Sequence, residues 1–516
     1  MGRLTTSRRD PTLVGSASQI ASRSQSWGPV KSLAIHLPAV LAVLALGGLA
    51  WLLSCELTDL RDRALDDAFI TYNYARSVAE GKGIRFNASD PEPTDGASSL
   101  LHLGLVATAI RLGFDPLLSS RALSLVLFLA APFVLAPVVG RLASVPFGVG
   151  LLCGVAAWTG LGVTAETGWH LADGMDTLLF LFAHLAATSW AVLFALTPQP
   201  SLGATVVGPV LLTFLAAARP EGLVLAGLLL VLVRIVRSCL RVPSESTHGR
   251  RLAWVAMGFI VIAGGLLVLK VWYFGHLLPN AYYVKSRNAI FGSSGLLLPG
   301  WLQVAKFLVM RYLPLLILIY AWATLLGVPS RIRRIAALVL LPSTAVVLLY
   351  ARAIHESAGA YRYEYPYLAT LYGCLAVLLG TQWKRSRPAF FWILVFGASL
   401  VPVLTLPQLE HSLRTPFETA SGWVKHEFVG DALGFFGRDL GETHLGQSAT
   451  ILLSGAGQVP FFSRFRAIDW IGLNTTELSG RYERTLDQVW EYIDERRPDV
   501  VYSFLPPASP GVHNRM

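Results

Sequence analysis

The sequence predicts a polytopic α-helical membrane protein of about eleven crossings, followed by a small α/β or α+β domain outside the membrane. Three observations predict it. Of 516 residues, 53% are hydrophobic and 14% charged, at a mean hydropathy of +0.54, whereas soluble domains carry about 25% charged residues. Apolar runs long enough to cross a roughly 30 Å hydrocarbon core, which takes about 20 residues, recur from residue 33 to residue 406. The composition then changes, and residues 407–516 show short strand and helix patterns instead.

Taken in order, the tail 1–32 is rich in Ser and Arg and is expected to be disordered. The first run covers 33–54. Leu52-Leu53-Ser54-Cys55 resembles a lipoprotein cleavage box, but the run is longer than a signal core and follows a long basic tail, so an uncleaved helix is expected. Further runs lie near 119–140, 145–163, 176–196, 203–218, 221–236, 252–272, 302–326, 334–351, 366–381 and 388–406, with a shorter one at 98–113.

The net charge of +10 does not point to nucleic acid, because the cations cluster in short loops between apolar runs. Arg234, Arg237, Arg241, Arg250 and Arg251 fill one loop, Arg331, Arg333 and Arg334 another, Lys384, Arg385 and Arg387 a third. The positive-inside rule makes these loops and the tail cytoplasmic and puts the first outer loop (55–98) and the 407–516 segment outside. An inside start and an outside end demand an odd number of crossings. The miscount lies between 98 and 218, where Pro132, Pro137 and Pro146 interrupt the pattern, so one piece is re-entrant or two are miscut, giving eleven crossings or thirteen. In the terminal segment 449–453 and 499–504 read as strands and 484–496 as an amphipathic helix. Gly455-Ala456-Gly457 is only a weak phosphate-loop signal. Cys55, Cys153, Cys239 and Cys374 offer neither metal nor disulfide spacing.

Candidate chemistry sits on the outer side. Asp66-Asp67-Ala68-Phe69-Ile70 opens the first outer loop. Adjacent carboxylates there can take a proton from an acceptor hydroxyl, or hold a divalent cation, a possible metal, against phosphate; they can also be a merely solvated acidic pair. The donor-side loop 273–301, with Lys270 just before it, carries His276, Lys285 and Arg287 beside Pro279-Asn280-Ala281-Tyr282-Tyr283. Cations in an outer loop suit a phosphate at headgroup depth or anionic lipid headgroups. Glu166, His170, Asp173 and Asp176 form a further cluster, Arg219 and Glu221 flank Pro220, and Arg352, His355, Arg362 and Glu364 form the last. Ionisable groups at membrane depth cost about 2.5–3.5 kcal/mol each on insertion scales, so they pair or face a polar cavity.

These residues resemble the GT-C glycosyltransferases in the Asp66–Ile70 motif. Gly174-Met175-Asp176, Arg219-Pro220-Glu221-Gly222, Leu278–Lys285 and Ile468–Asn474 resemble, more narrowly, the actinobacterial terminal arabinofuranosyltransferase branch. The resemblance runs from about residue 58 to 475 as short islands in a shared order. It implies a polyprenyl-phosphate sugar donor, a glycan or lipid acceptor and a site outside the cytoplasm in the plasma membrane. Asp67 or Asp66 would be the catalytic carboxylate, and Lys285, Arg287, Arg362 and His276 would meet the donor phosphate. Asn280, Tyr282, Tyr283, Asp176, Glu221 and Arg219 would contact substrate. Position 176 is Asp where the pattern carries Glu, and the terminal domain is short for that branch, so arabinose, mannose and other hexoses stay open. The alternative from another class is a lipid or solute transporter or flippase; the absence of an inverted repeat and the long outer loop count against it.

Overall fold

A computed structural model describes residues 29–59, 65–240, 246–287, 297–352, 354–356, 361–405, 430–446, 448–479 and 486–502. Most of the tail expected to be disordered, part of the donor-side loop and the start of the terminal segment lie outside these residues, as do the side chains of Lys285, Arg287, Arg352 and His355.

Helix α1 (Pro29–Asp59) is followed by two short helices, α2 (Asp66–Ala79) and α3 (Leu100–Arg111). Next come α4 (Pro116–Ala143), α5 (Phe147–Gly162), α6 (Ala165–Ala172), α7 (Thr177–Leu196), α8 (Leu202–Ala218), α9 (Glu221–Cys239), α10 (Ser246–Phe274) and α11 (Asn280–Arg287). A short antiparallel ladder of three residue pairs joins β1 (Leu297–Pro299) to β2 (Ile354–Glu356). Between these strands run α12 (Gly300–Phe307), a π-helical turn (Leu308–Tyr312), α13 (Leu313–Leu325) and α14 (Ser330–Leu349). The bundle closes with α15 (Leu368–Gln382) and α16 (Pro388–Thr405).

Among the described residues, seven helical stretches are long and apolar enough to cross a membrane. The pair α5–α6, bent by 85°, makes an eighth. Helices α8 and α16 are shorter and apolar, and α15 is a buried apolar helix of 15 residues. Over the run at 98–113, α3 has 12 residues, about 18 Å at 1.5 Å per residue, too short to cross by itself. Ser99 caps it, its hydroxyl accepting from the His102 backbone N–H at 3.2 Å.

Helix α7 is the centre of the bundle, with 89% of its span buried, and α4, α8 and α9 pack around it. At one end of the bundle basic side chains close off helix-terminal carbonyls. Arg237 donates to the carbonyls of Ala195 and Thr197 at 3.1 Å each, Arg385 to Gly327 at 2.6 Å and Lys384 to Ser144 at 2.6 Å. Cations there complement the negative ends of the helix dipoles. The opposite end gathers α2, α3, α6, α11 and the segment after α14.

The terminal domain lies against that second end. It contains α17 (Gly430–Gly441), β3 (Thr450–Leu453), α18 (Gln458–Ser463), β4 (Arg466–Asp469), α19 (Leu486–Arg496) and β5 (Val500–Tyr502). The strands form a parallel sheet in the order β4-β3-β5, so the domain is α/β. Both expected strands and the expected helix are present, and β4 is an addition. Ile451 and Leu453 on β3 pack with Tyr74, Phe86 and Leu103 of the membrane-side elements, forming a core shared between the two parts.

Candidate active site

The site begins with α2. Ala68, Phe69, Tyr72 and Ala75 face inward and pack on Val106, Ala107 and Met175, so the helix is pinned on one face while its first turn presents the two aspartates. They differ in what they meet. Asp66 accepts the backbone N–H of Gly457 at 3.1 Å and of Gln458 at 2.7 Å, so the Gly455-Ala456-Gly457 turn grips a carboxylate of its own chain. Burial pushes the Asp66 carboxyl above its usual range, with the two N–H bonds partly offsetting that push. Asp67 is 35% exposed at its side chain, and its Oδ2 lies 3.5 Å from Arg362 Nη1.

Arg362 bridges to the next carboxylate, with Nη2 3.6 Å from Asp176 Oδ1. Asp176 occupies the N-cap position of α7 without a side-chain hydrogen bond to the helix backbone, and it is held by Arg219 in a two-pronged pair, Nε to Oδ2 and Nη2 to Oδ1, both 3.1 Å. Arg219 also donates to the Thr177 hydroxyl and to the Arg362 carbonyl, each at 3.0 Å. Against the upward push of burial, Arg219 and Arg362 hold the Asp176 carboxyl well below its usual range. Glu221 completes the group: its Oε1 lies 3.8 Å from Arg219 Nη1 and accepts a short hydrogen bond from the Tyr350 hydroxyl. Beside Arg362, burial pushes Glu364 up to about 7.

The turn that delivers Asp176 is locally determined. Asp173 accepts the Met175 N–H at 2.7 Å and lies 3.0 Å from His170 Nδ1. Gly174 has φ +72° and an added Cβ would sit 2.4 Å from the Tyr72 hydroxyl, which donates to the Gly174 carbonyl at 2.8 Å. Only glycine suits that conformation and that approach.

Four of the expected residues therefore come together from four separate parts of the chain: Asp67, Asp176, Arg219 and Arg362, with Glu221 and Asp66 at the margins. His276 is placed differently. Its Nε2 lies 3.4 Å from Asp95 Oδ2, where Lys270 Nζ also lies at 3.0 Å, and the Asn280 N–H donates to the Asp95 carbonyl at 2.8 Å. Asn280 is buried and Tyr282 exposed. This cluster fastens the first outer loop to the start of α11. Lys285 and Arg287 occupy the last turn of α11. The sequence reading missed Arg311, whose Nη2 lies 2.5 Å from Glu166 Oε1; an arginine inside the 302–326 run was the available signal. It also missed His102.

Among the described residues no three His, Cys, Asp or Glu side chains lie together as an ion-binding set. The site carboxylates face arginines and backbone N–H groups.

A family model for a domain of unknown function (DUF8728) matches residues 426–512, the terminal domain alone. No curated protein matches the sequence. Among solved structures, ArnT from Cupriavidus metallidurans in the apo state gives a TM-score of 0.59 at 13% identity, over 92% of this chain and 93% of that one. The same protein bound to undecaprenyl phosphate gives 0.55 at 14% identity, over 87% and 90%. The chain is folded like ArnT. That likeness spans membrane bundle and terminal domain together, and at this identity it is a likeness of fold. An oligosaccharyltransferase of Archaeoglobus fulgidus, tethered to an acceptor peptide, follows at 0.49 and 10% identity over 87% of this chain and 68% of that one, too loosely to carry an argument.

Proposed function

We propose that this chain is a membrane glycosyltransferase that moves a sugar, arabinofuranose or a hexose, from a polyprenyl-phosphate donor to a cell-envelope glycan or lipid acceptor. The observation that carries the reading is the meeting of Asp67 with Arg362, and of Arg362 with the buried Asp176–Arg219 pair, at the end of the bundle opposite the basic loops. By the charge asymmetry that end faces away from the cytoplasm. The ArnT structure with undecaprenyl phosphate supports a polyprenyl phosphate as the group this fold accommodates.

Asp67 is the half-exposed carboxylate and acts on the acceptor. Its oxygen orients an acceptor hydroxyl and takes the proton as that oxygen bonds to the anomeric carbon. The bond from the anomeric carbon to the phosphate oxygen breaks, and its electron pair leaves with the lipid phosphate. Arg362 receives the charge that develops there. Its contacts to Asp67 and Asp176 are long, at 3.5 and 3.6 Å, and its Nε has no hydrogen-bond partner among the described residues, so donors remain for phosphate oxygens. Lys285 and Arg287 add positive charge from α11. Arg219 holds Arg362 through its carbonyl, and Asp176 holds both guanidinium groups in place. His276, occupied with Asp95, serves loop attachment more than phosphate.

The test is transfer by purified protein in detergent from a polyprenyl-phosphate sugar. Glycosyl transfer needs no sealed compartment, whereas a flippase or transporter shows activity only across one. Wild-type protein is expected to transfer, and Asp67→Asn to lose about 10²–10⁴-fold in kcat. Undiminished transfer by both Asp67→Asn and Asp66→Asn removes the carboxylates from the mechanism.

A further inference from the structure

Helix α3 is too short to cross the membrane, yet it is wedged into the site end of the bundle, packed on α2 and on α8. Its Val106 lies in one cluster with Ala68, Phe69, Tyr72 and Met175. His102 stands one turn earlier on the same face, since residues four apart share a helix face. Its side chain is therefore directed between α2, which carries Asp67, and the turn that carries Asp176. The residue is 2% exposed, and its Nε2 has no hydrogen-bond partner among the described residues. The charged groups that bear on the ring are Asp176, Asp173, Arg362 and Arg219, all members or neighbours of the site. A buried polar nitrogen without a partner costs about 1–3 kcal/mol, which a hydrogen bond from a ligand would recover.

We propose that His102 belongs to the substrate site, where its Nε2 exchanges a hydrogen bond with a sugar hydroxyl. The inference rests on the glycosyl-transfer reading above. The chemistry of the ligand follows from the ring's surroundings. Burial favours the uncharged imidazole and pushes its pKa below the ordinary histidine range. A neutral ring gains little from a phosphate, which is better met by Arg362. A hydroxyl both donates and accepts, and so satisfies either tautomer of a neutral imidazole without charge. The hydroxyl can belong to the transferred sugar or to the acceptor glycan.

The test compares His102→Phe and His102→Gln with the wild type in the detergent assay, alongside equilibrium binding of bare undecaprenyl phosphate. His102→Phe is expected to raise KM for one sugar-bearing substrate by about 10–100-fold, since a site built to hydrogen-bond a hydroxyl suffers when the bond is lost. His102→Gln, which keeps a hydrogen-bonding head, recovers part of that loss, and affinity for undecaprenyl phosphate stays as in the wild type. A rise in donor KM assigns the hydroxyl to the transferred sugar; a rise in acceptor KM assigns it to the acceptor. Unchanged KM values for both substrates in His102→Phe overturn the inference, as does an equal weakening of bare undecaprenyl phosphate. If the wild type transfers normally in that experiment, only this inference falls. If the wild type transfers nothing, the glycosyl-transfer reading falls with it.

Discussion

Asp66 and Asp67 are one helical step apart, about 100° around α2, and that step sends them to different neighbours. Asp66 turns to the Gly457–Gln458 backbone and Asp67 to Arg362. Replacing Asp66 with Asn removes the charge that two N–H groups share and presents an amide N–H₂ to one of them. The expected cost is about 1–3 kcal/mol, seen as a lower unfolding temperature in detergent, with kcat of the surviving folded protein within a few-fold of wild type. Loss of kcat by orders of magnitude in Asp66→Asn with unchanged thermal stability would reverse the two assignments. In the terminal domain Asp469 is fully buried and accepts from the N–H groups of Ile471 and Asn474 and from the Asn474 side chain. Burial nevertheless pushes it up to about 6 from 3.8. The folded form then binds more protons than the unfolded chain between about pH 4 and 6, so stability falls as pH rises through that window, by up to about 3 kcal/mol. Exchange protection of the Ile451 and Ala467 amides should decline across it, and Asp469→Asn should flatten the decline. At this scale the sequence was legible where a residue type is costly in its setting. Asp176, Arg219 and Arg362 stood out because charge near the membrane must be paired. Their partners were hidden, because contacts across 43 or 143 positions leave no local pattern. His102 was hidden too, since one imidazole in an apolar run reads as ordinary core.

The elements were read most securely where period and length agree. The long helices and the Leu486–Arg496 amphipathic helix lie where the apolar spacing put them. Strand β4 escaped notice because four residues, Arg466–Asp469, give too short an alternation to register. The contact between α2 and α18 was likewise invisible, as it depends on backbone approach: a Cβ on Gly457 would lie 1.8 Å from the Asp66 carbonyl oxygen. Phe69 reinforces it, with ring centroids 5.1 Å from Phe461 and 5.3 Å from Phe462, and Arg76 donates to the Phe461 carbonyl at 2.6 Å. Gly457→Ala should therefore force the two elements apart, read as faster protease cleavage of the terminal domain and a fall in transfer. Gly104→Ala is the matched control. That glycine lies within α3 with open space around it, and alanine there should be neutral or stabilising by up to about 1 kcal/mol.

For the molecule as a whole, the charge asymmetry underlies the proposed orientation in the membrane, and two native cysteines can test it. Cys55 and Cys239 are exposed, whereas Cys153 and Cys374 are buried. Cys55 lies near the end of α1 that leads to the site, and Cys239 ends α9 among the basic loops. A membrane-impermeant thiol reagent added to intact cells should modify Cys55 and spare Cys239 until the membrane is opened. The reverse pattern would turn the site toward the cytoplasm. The Asp66–Gly457 clasp bears on how far this protein can be dissected. The helix that presents Asp67 is sandwiched between the bundle on one side and the terminal domain on the other, so on the proposed reading excising everything after residue 406 would not yield a leaner catalyst but one with its acting carboxylate unmoored.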